Sequence, residues 1–203
     1  MFKHNKFKNG VNNMSKKIIN KMNVSPLPEP TVLVTVKAED KSPNIITIAW
    51  TGVFSHSPST VYIAVHPARY SHSMLKDSME YVINIPSENL AKITDYCGIV
   101  SGKNIDKFKE TGLTPIPASI VKAPLIKECL VNIECKVKDI LNFGSHDIFV
   151  GEVVATHYDE EVLNENGVPD AERIRSYGYT FGEYRSMGEK LGLAGYSKKS
   201  IED

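Results

Sequence analysis

From Thr31 to Ala38 the chain reads TVLVTVKA, branched apolar residues alternating with small or polar ones every second position. That period predicts a strand with one face in a core. The same reading applies to ITIAW (46–50), to STVYIAVHP (59–67), which Pro67 closes, and to YVINIP (81–86), which Pro86 stops. Between these, SMLKDSMEY (73–81) switches to helical spacing, with Ser71 or Ser73 placed to cap it. Two further helical pieces follow, SENLAKITDYCG ending at Gly98 and NIDKFKETG ending at Gly112. TPIPASIVKAP is broken by proline and extended. Residues 128–157 form a long predicted hairpin: ECLVNIECKVKDIL runs out, NFGSH turns, and DIFVGEVVATHY returns. From about Gly182 the spacing is helical, with several glycines.

Strands therefore come in runs around two short helices, instead of alternating with helices as a doubly wound sheet requires. The pattern predicts a mainly β fold, a closed antiparallel barrel with helices on its side. Closure also removes the edge strands that would otherwise invite aggregation. The chain has 203 residues. Residues 1–24 are basic and Asn-rich without hydrophobic period, and no acidic residue precedes Glu29. That segment reads as a solvated tail and lacks the apolar run of a secretory signal, so one domain is expected over 25–203.

Lys+Arg and Asp+Glu both number 24, for a formal net charge of zero. A protein gripping nucleic acid over a wide face would be basic, so no nucleic-acid partner is expected. Residues 42–68 carry no Asp, Glu, Lys or Arg, but Asn44, Ser55, His56, Ser57, Pro58, Ser59 and His66 interrupt the run. A spanning helix needs about 20 mostly apolar residues, so no membrane span is expected. The three cysteines include no CxxC. Cys129 and Cys135, on a regular strand, would stand about 20 Å apart at about 3.3 Å per residue, too far for a disulfide. Reduced thiols place the protein in the cytoplasm.

GIVSGKN (98–104) has one residue too few between its glycines for a nucleotide-binding P-loop, and Asn where Ser or Thr is required. What it retains is Ser101, Gly102 and Asn104 leading into a helix that carries Lys107, which suits an anion or simply a capped helix. ARYSHSMLK (68–76) sets Arg69, a planar fork of donors, beside the Ser71 and Ser73 hydroxyls at another helix start. Together the two would hold a phosphomonoester. The histidines follow no metal-binding spacing, there is no GxSxG, and no paired carboxylates stand out, so neither a metal nor a catalytic triad is expected. Cys97 reads as a structural thiol or a redox thiol. Trp50, the lone Trp, suits a core or the edge of a flat aromatic ligand.

In order and spacing, PNIITIAW, PARYSHSMLK, EYVINIPS, YCGIVSGKNIDKF, APLIKECLVNIEC and HDIFVGEVV resemble the flavoredoxin branch of the flavin reductase-like, FMN-binding split-barrel proteins, from about residue 26 to 197. The resemblance implies a six-stranded antiparallel Greek-key split barrel with flanking helices, a homodimer, and one FMN per protomer near the dimer interface. By position it implies that Asn44, Thr47, Ala49 and Trp50 edge the isoalloxazine. Ser71 would bind the phosphate with Arg69 beside it, Lys107 would add charge to the same group, and His146 would reach the flavin or its ribityl chain. Phe181 would pack on the cofactor, with Tyr177, Tyr179 and Tyr184 as rivals. Electrons would come from NAD(P)H or a redox partner and pass to free flavin, ferric iron or another protein. The alternatives are a module that holds FMN without turnover and a barrel that binds another ligand such as haem.

Overall fold

The structure, a computed structural model, describes residues 26–198; the basic segment 1–24 lies outside the described residues. Twelve strands are present: β1 Glu29–Pro30, β2 Val32–Val36, β3 Asn44–Ile48, β4 Thr51–Ser55, β5 Thr60–Val65, β6 Glu80–Ile85, β7 Pro115–Ile116, β8 Leu125–Ile126, β9 Val131–Asn142, β10 Asp147–Tyr158, β11 Tyr177–Thr180 and β12 Glu183–Ser186. Four α-helices intervene: α1 Tyr70–Ser78, α2 Ala91–Ile99, α3 Lys107–Thr111 and α4 Ala171–Ile174. The main sheet is antiparallel with order β3-β2-β6-β9-β10-β5-β4. It curls until its two edge strands, consecutive in the chain, are joined by Ala49 and Trp50, and the Trp50 carbonyl accepts from the Ala64 N–H at 2.9 Å. Register shifts between Val150 and Gly151 and between Val153 and Ala155 bend β10 over this curve.

The sheet therefore has seven strands where six were expected. The additional one is β4, TGVFS, whose residues are exposed or half-buried and whose pattern has no clean alternation to announce it. The predicted strand 46–50 is displaced to 44–48, because Ala49 and Trp50 form the link to β4. A second correction concerns the C-terminal segment, expected to be helical from Gly182. It is instead the hairpin β11/β12, with β1 pairing on its other side. Phe181 and Gly182 form its two-residue turn, both at positive φ (48° and 89°), which is the I′ geometry that matches strand twist.

Period two explains the interior. Val32, Val34 and Val36 face the inside of the curl with Ile46, Ile48, Ile63, Tyr81, Ile83 and Phe149. Leu33 and Ile45 point outward, but Leu90 in the turn before α2, Cys97 in α2 and Phe108 in α3 cover them. Both faces of β2 are thus dry, so every residue of β2 is buried. Helix α1 contributes Met74 and Leu75 to the inner core. It begins three residues earlier than predicted, with Arg69 at its N-cap position, so Ser71 lies inside the first turn. Gly98 lies within α2 rather than stopping it, whereas Gly112 does close α3 at φ 73°. Among the described residues, no helix is long and apolar enough to cross a membrane.

Candidate functional site

Both anion-suited stretches converge on one cavity of about 110 Å³ at the mouth of β3. Arg69 and Ser71 reach it from the start of α1, Ser101 and Gly102 from the turn before α3, and Lys107 from the first position of α3. Ser71 is buried, and its Oγ accepts from Asn44 Nδ2 at 2.8 Å. Asn44 opens β3, so this bond fastens the strand to α1. Lys107 is 4% exposed and donates from Nζ to the carbonyls of Ile45 (2.7 Å) and Cys97 (2.6 Å). Burial, offset by the Cys97 thiol and reinforced by Arg69, pulls the Lys107 ammonium down to about 8. Burial pushes Cys97 up to about 11 against the pull of Lys107, so it remains a thiol at neutral pH.

Gly102 makes this packing possible. A Cβ there would collide with Asn44 Oδ1, and the amide cannot move aside without breaking the bond from its Nδ2 to Ser71. Gly102→Ala is therefore expected to weaken binding of a phosphorylated ligand about tenfold, with a stability loss of about 1–2 kcal/mol. Equilibrium titration and urea melts check this, and an affinity within twofold of the parent would remove the contact from the argument.

A second lobe of about 180 Å³ adjoins the first and shares Ile46 and Arg69 with it. Its walls are the β3 backbone through Ala49 and Trp50, the end of β5, and His146. Trp50 is 48% exposed, its Nε1 donates to Glu29 Oε1 at 2.8 Å, and its ring lies 4.5 Å from that of His146. The His66 and His146 rings stand edge to face at 5.3 Å. Burial, then His66 and Arg69, hold the His146 imidazolium below the usual histidine range. The two lobes are held in place by one buried pair, His72 Nε2 to Asp147 Oδ2 at 2.7 Å, with Asn142 Nδ2 on the other carboxylate oxygen. Ser71 precedes His72 and His146 precedes Asp147. The pair therefore sets the spacing between a hydroxyl in the donor-rich lobe and an imidazole in the flat one. Hydrogen bonds from His72 and Asn142 keep the Asp147 carboxyl below its ordinary range.

A third lobe of about 200 Å³ lies where Thr47, Ala49, Gly98 and Ile99 face Tyr179 and Tyr184. The Tyr184 hydroxyl donates to Asp95 Oδ1 at 3.1 Å, and the two tyrosine rings stand edge to face at 5.3 Å. Burial, then the bond to Asp95, raises the Tyr184 phenol.

The expected residues are thus distributed as follows. Arg69, Ser71 and Lys107 meet in the donor-rich lobe, while Ala49, Trp50 and His146 line the flat one, with Thr47 between the flat and third lobes. Asn44 sits with the phosphate-type donors and not at the flat lobe where a ring edge was expected. Phe181 is 79% exposed at its hairpin turn and lines none of the three lobes, whereas two of its rivals, Tyr179 and Tyr184, line the third. The sequence reading missed the His72–Asp147 pair and the bridging place of Arg69. Only the adjacency of His72 to Ser71 hinted at the pair. No group of three or more metal-ligating side chains occurs among the described residues.

The residues suit FMN. A lobe of cationic and hydroxyl donors opens through Ile46 and Arg69 onto a flat lobe edged by strand backbone. A dianionic phosphate and an amphipathic ring require that pairing of environments.

Comparison with known proteins gives the same direction. A family model described as "Flavin reductase like domain" matches residues 24–188. An uncharacterised protein of Pyrococcus abyssi is 38% identical over 143 residues, 70% of this chain and 81% of that one. The structure of flavoredoxin from Desulfovibrio vulgaris (Miyazaki F) superposes with a TM-score of 0.84 at 31% identity, covering 91% of this chain and all of that one. Flavoredoxin from Methanosarcina acetivorans gives 0.84 at 29% identity, covering 92% and 100%.

Proposed function

Because the chain belongs to the flavin reductase-like family, we propose that it is an FMN-binding oxidoreductase of the flavoredoxin type. It moves electrons from NAD(P)H or a redox partner to a small acceptor such as free flavin, ferric iron or a partner protein. The observation that carries this reading is the junction at Ile46 and Arg69 of a donor-rich lobe and a flat, backbone-edged lobe.

When bound, the flavin supplies the redox chemistry. The chain's part is to bind and orient. Ser71 and Arg69 offer a hydroxyl and a guanidinium to the phosphate, and Lys107 sets positive charge behind them. Strand β3 presents alternate N–H and C=O groups to the polar edge of the ring. Trp50 and His146 stand together at one side of the flat lobe, their rings 4.5 Å apart and tilted by 49°, and the neutral His146 ring offers one donor and one acceptor nitrogen there.

The exposed Val53 (77%) and Phe54 (55%) run from Trp50 along β4, whose outer edge is unpaired among the described residues. An apolar edge beside the flat lobe supports a homodimer with the cofactor near the interface. Buried, unpaired cysteines support a reducing, cytoplasmic setting.

The purified chain is expected to be yellow or to take up added FMN, and NADH or NADPH added anaerobically is expected to bleach the flavin band. Protein that takes up no FMN would end this reading. Uptake without bleaching by either nucleotide, even with redox partners added, would make it an FMN-holding module. Sedimentation is expected to show a dimer, and a monomer at micromolar concentration would remove the interface.

A further inference from the structure

A cavity of about 500 Å³ lies beside the root of the β11/β12 hairpin and shares no described residue with the three lobes around β3. Its size falls within the range of small-molecule pockets, about 300–1,000 Å³. Ser87, Glu88 and Asn89 wall it where β6 ends and a single helical turn, Glu88–Leu90, begins. Arg173 and Arg175 wall it at the end of α4, and the half-buried Leu130 lies between them in the walls. The backbone holds the two sides together. The Glu88 N–H donates to the Arg175 carbonyl at 3.1 Å, and Ser87 pairs with Ser176, the residue before β11. Arg175 stands at φ 50°, a left-handed conformation that side chains disfavour. Glycine would close α4 with less strain, yet the position carries a guanidinium that lines the cavity.

Donors dominate these walls. Arg175 Nη2 donates to Glu88 Oε2 at 2.7 Å, and Arg173 Nη1 to the Leu163 carbonyl at 2.6 Å. Each guanidinium carries further N–H donors in its planar fork. Ser87 Oγ donates to Asn89 Oδ1, which leaves the Asn89 amide nitrogen to donate. Glu88 is the acidic residue of the walls, and hydrogen bonds from Ser186, then Arg175, hold its carboxyl below the ordinary range. Asp170, 3.8 Å from Arg173 Nε, caps α4 and lies outside the walls. The side chains of Arg175 and Arg173 are 68% and 49% exposed, so their present ion pairs are weak and exchangeable. Arg173 and Arg175 against Glu88 leave an excess of positive charge that a monoanion neutralises. A phosphate dianion would overshoot it and meet the Glu88 carboxylate. The planar fork suits a carboxylate, and Leu130 offers an apolar surface to the rest of the molecule.

We propose that this cavity binds a small organic monocarboxylate, its carboxylate forked by Arg173 and Arg175 and its apolar body on Leu130. The ligand ties the end of α4 to the turn after β6, and so fastens the root of the hairpin that carries Tyr179 and Tyr184. The proposal stands apart from the flavin reading, because the two sites have no described residue in common.

Calorimetric titration of benzoate into the full-length chain tests this, with and without added FMN, for the parent, Arg173→Gln and Arg175→Gly. Glycine accepts the left-handed backbone, so the second variant removes the guanidinium without disturbing the turn. Benzoate is expected to bind with a dissociation constant below about 5 mM, equally with and without FMN. Each variant should raise that constant about fivefold or more. At about ten times the benzoate dissociation constant, exchange of the Glu88 amide hydrogen should slow about tenfold. Binding weaker than about 5 mM, or a shift below about fivefold in either variant, overturns the proposal. Loss of benzoate binding on adding FMN also overturns it, since the anion would then sit in the donor-rich lobe. Tighter binding of inorganic phosphate at the same arginines would reject the carboxylate class. Unchanged Glu88 exchange with benzoate bound would show that no ligand bridges the two walls, and the assignment would fall.

Discussion

Replacing Lys107 by Met is expected to lower FMN affinity about 10- to 100-fold and to reduce folding stability by about 2–4 kcal/mol. Both losses come from one atom. Nζ is buried and ties Ile45 in β3 to Cys97 in α2 through two short bonds to carbonyls. Methionine fills the space but leaves both carbonyls without their donor, and the cation behind the phosphate is gone. Fluorescence titration and urea denaturation read the two effects separately. A variant with parental affinity would take Lys107 out of the phosphate site whatever its stability.

The lowered pKa adds a pH signature with two opposite signs. A phosphate dianion favours the protonated amine, so ligand binding raises the Lys107 pKa above its apo value of about 8. Affinity is then level between about pH 7 and 8, where the phosphate is already dianionic, and falls as pH rises further. Folding behaves the other way. The unfolded lysine titrates near its ordinary value of 10.5, so between about 8 and 10.5 the unfolded chain binds more protons than the folded one. Stability contributed by this residue therefore rises with pH across the window in which affinity falls. Lys107→Met should flatten both trends. An affinity that stays level to pH 10 in the parent would show that the amine does not sense the phosphate.

What the sequence disclosed follows from how far each interaction reaches along the chain. TVLVTVKA and the long hairpin are legible because alternation is local, and the hairpin strands pair over adjacent sequence. Strand β4 is not, because a short edge strand exposed on both faces has no core to impose a period. The β11/β12 hairpin is hidden differently. Its turn is Phe-Gly where Asn-Gly would signal one, and its glycines imitate helix stops. Yet Tyr177 and Tyr179 already carry the period of two. In the site, residue types were legible and their company was not. Ser71, Arg69 and Lys107 announce an anion by chemistry. The bonds that place them join Asn44 to Ser71, Ile45 to Lys107 and His72 to Asp147, across 27, 62 and 75 residues. The resemblance set Asn44 at the ring edge; in the fold it lines the donor-rich lobe, because the first residue of a strand also faces whatever packs on its end.

Glu134→Ala is expected to cost about 3–5 kcal/mol of stability, and Glu134→Gln less, about 1–3 kcal/mol, with FMN affinity unchanged in whatever fraction remains folded. Glu134 is fully buried on β9, and its carboxylate accepts from the N–H groups of Ser119, Ile120 and Val121 at 2.7, 2.7 and 2.9 Å and from His157 Nε2 at 2.6 Å. This one side chain pins the proline-broken segment across the outer face of the sheet, over the cluster of Val82, Val121, Ala123 and Leu125. Alanine leaves three backbone donors without their acceptor, the one at Val121 buried, whereas glutamine keeps one oxygen for them and turns an N–H₂ toward the rest. Burial opposes ionisation of Glu134, but His157 and the three backbone donors outweigh it and hold the carboxyl below its ordinary value. Its contribution is accordingly complete above the unfolded pKa of about 4.5 and is lost as pH falls through the lower folded value. Urea melts of the parent should weaken in acid more steeply than those of Glu134→Gln, and parallel curves would refute the linkage. The cluster lies on a different part of the sheet from the lobes around β3, so this variant separates two quantities that Lys107→Met changes together. If Glu134→Gln lost flavin affinity in proportion to stability, the lobes would be coupled to the whole fold and not set locally by Asn44, Ser71 and Lys107.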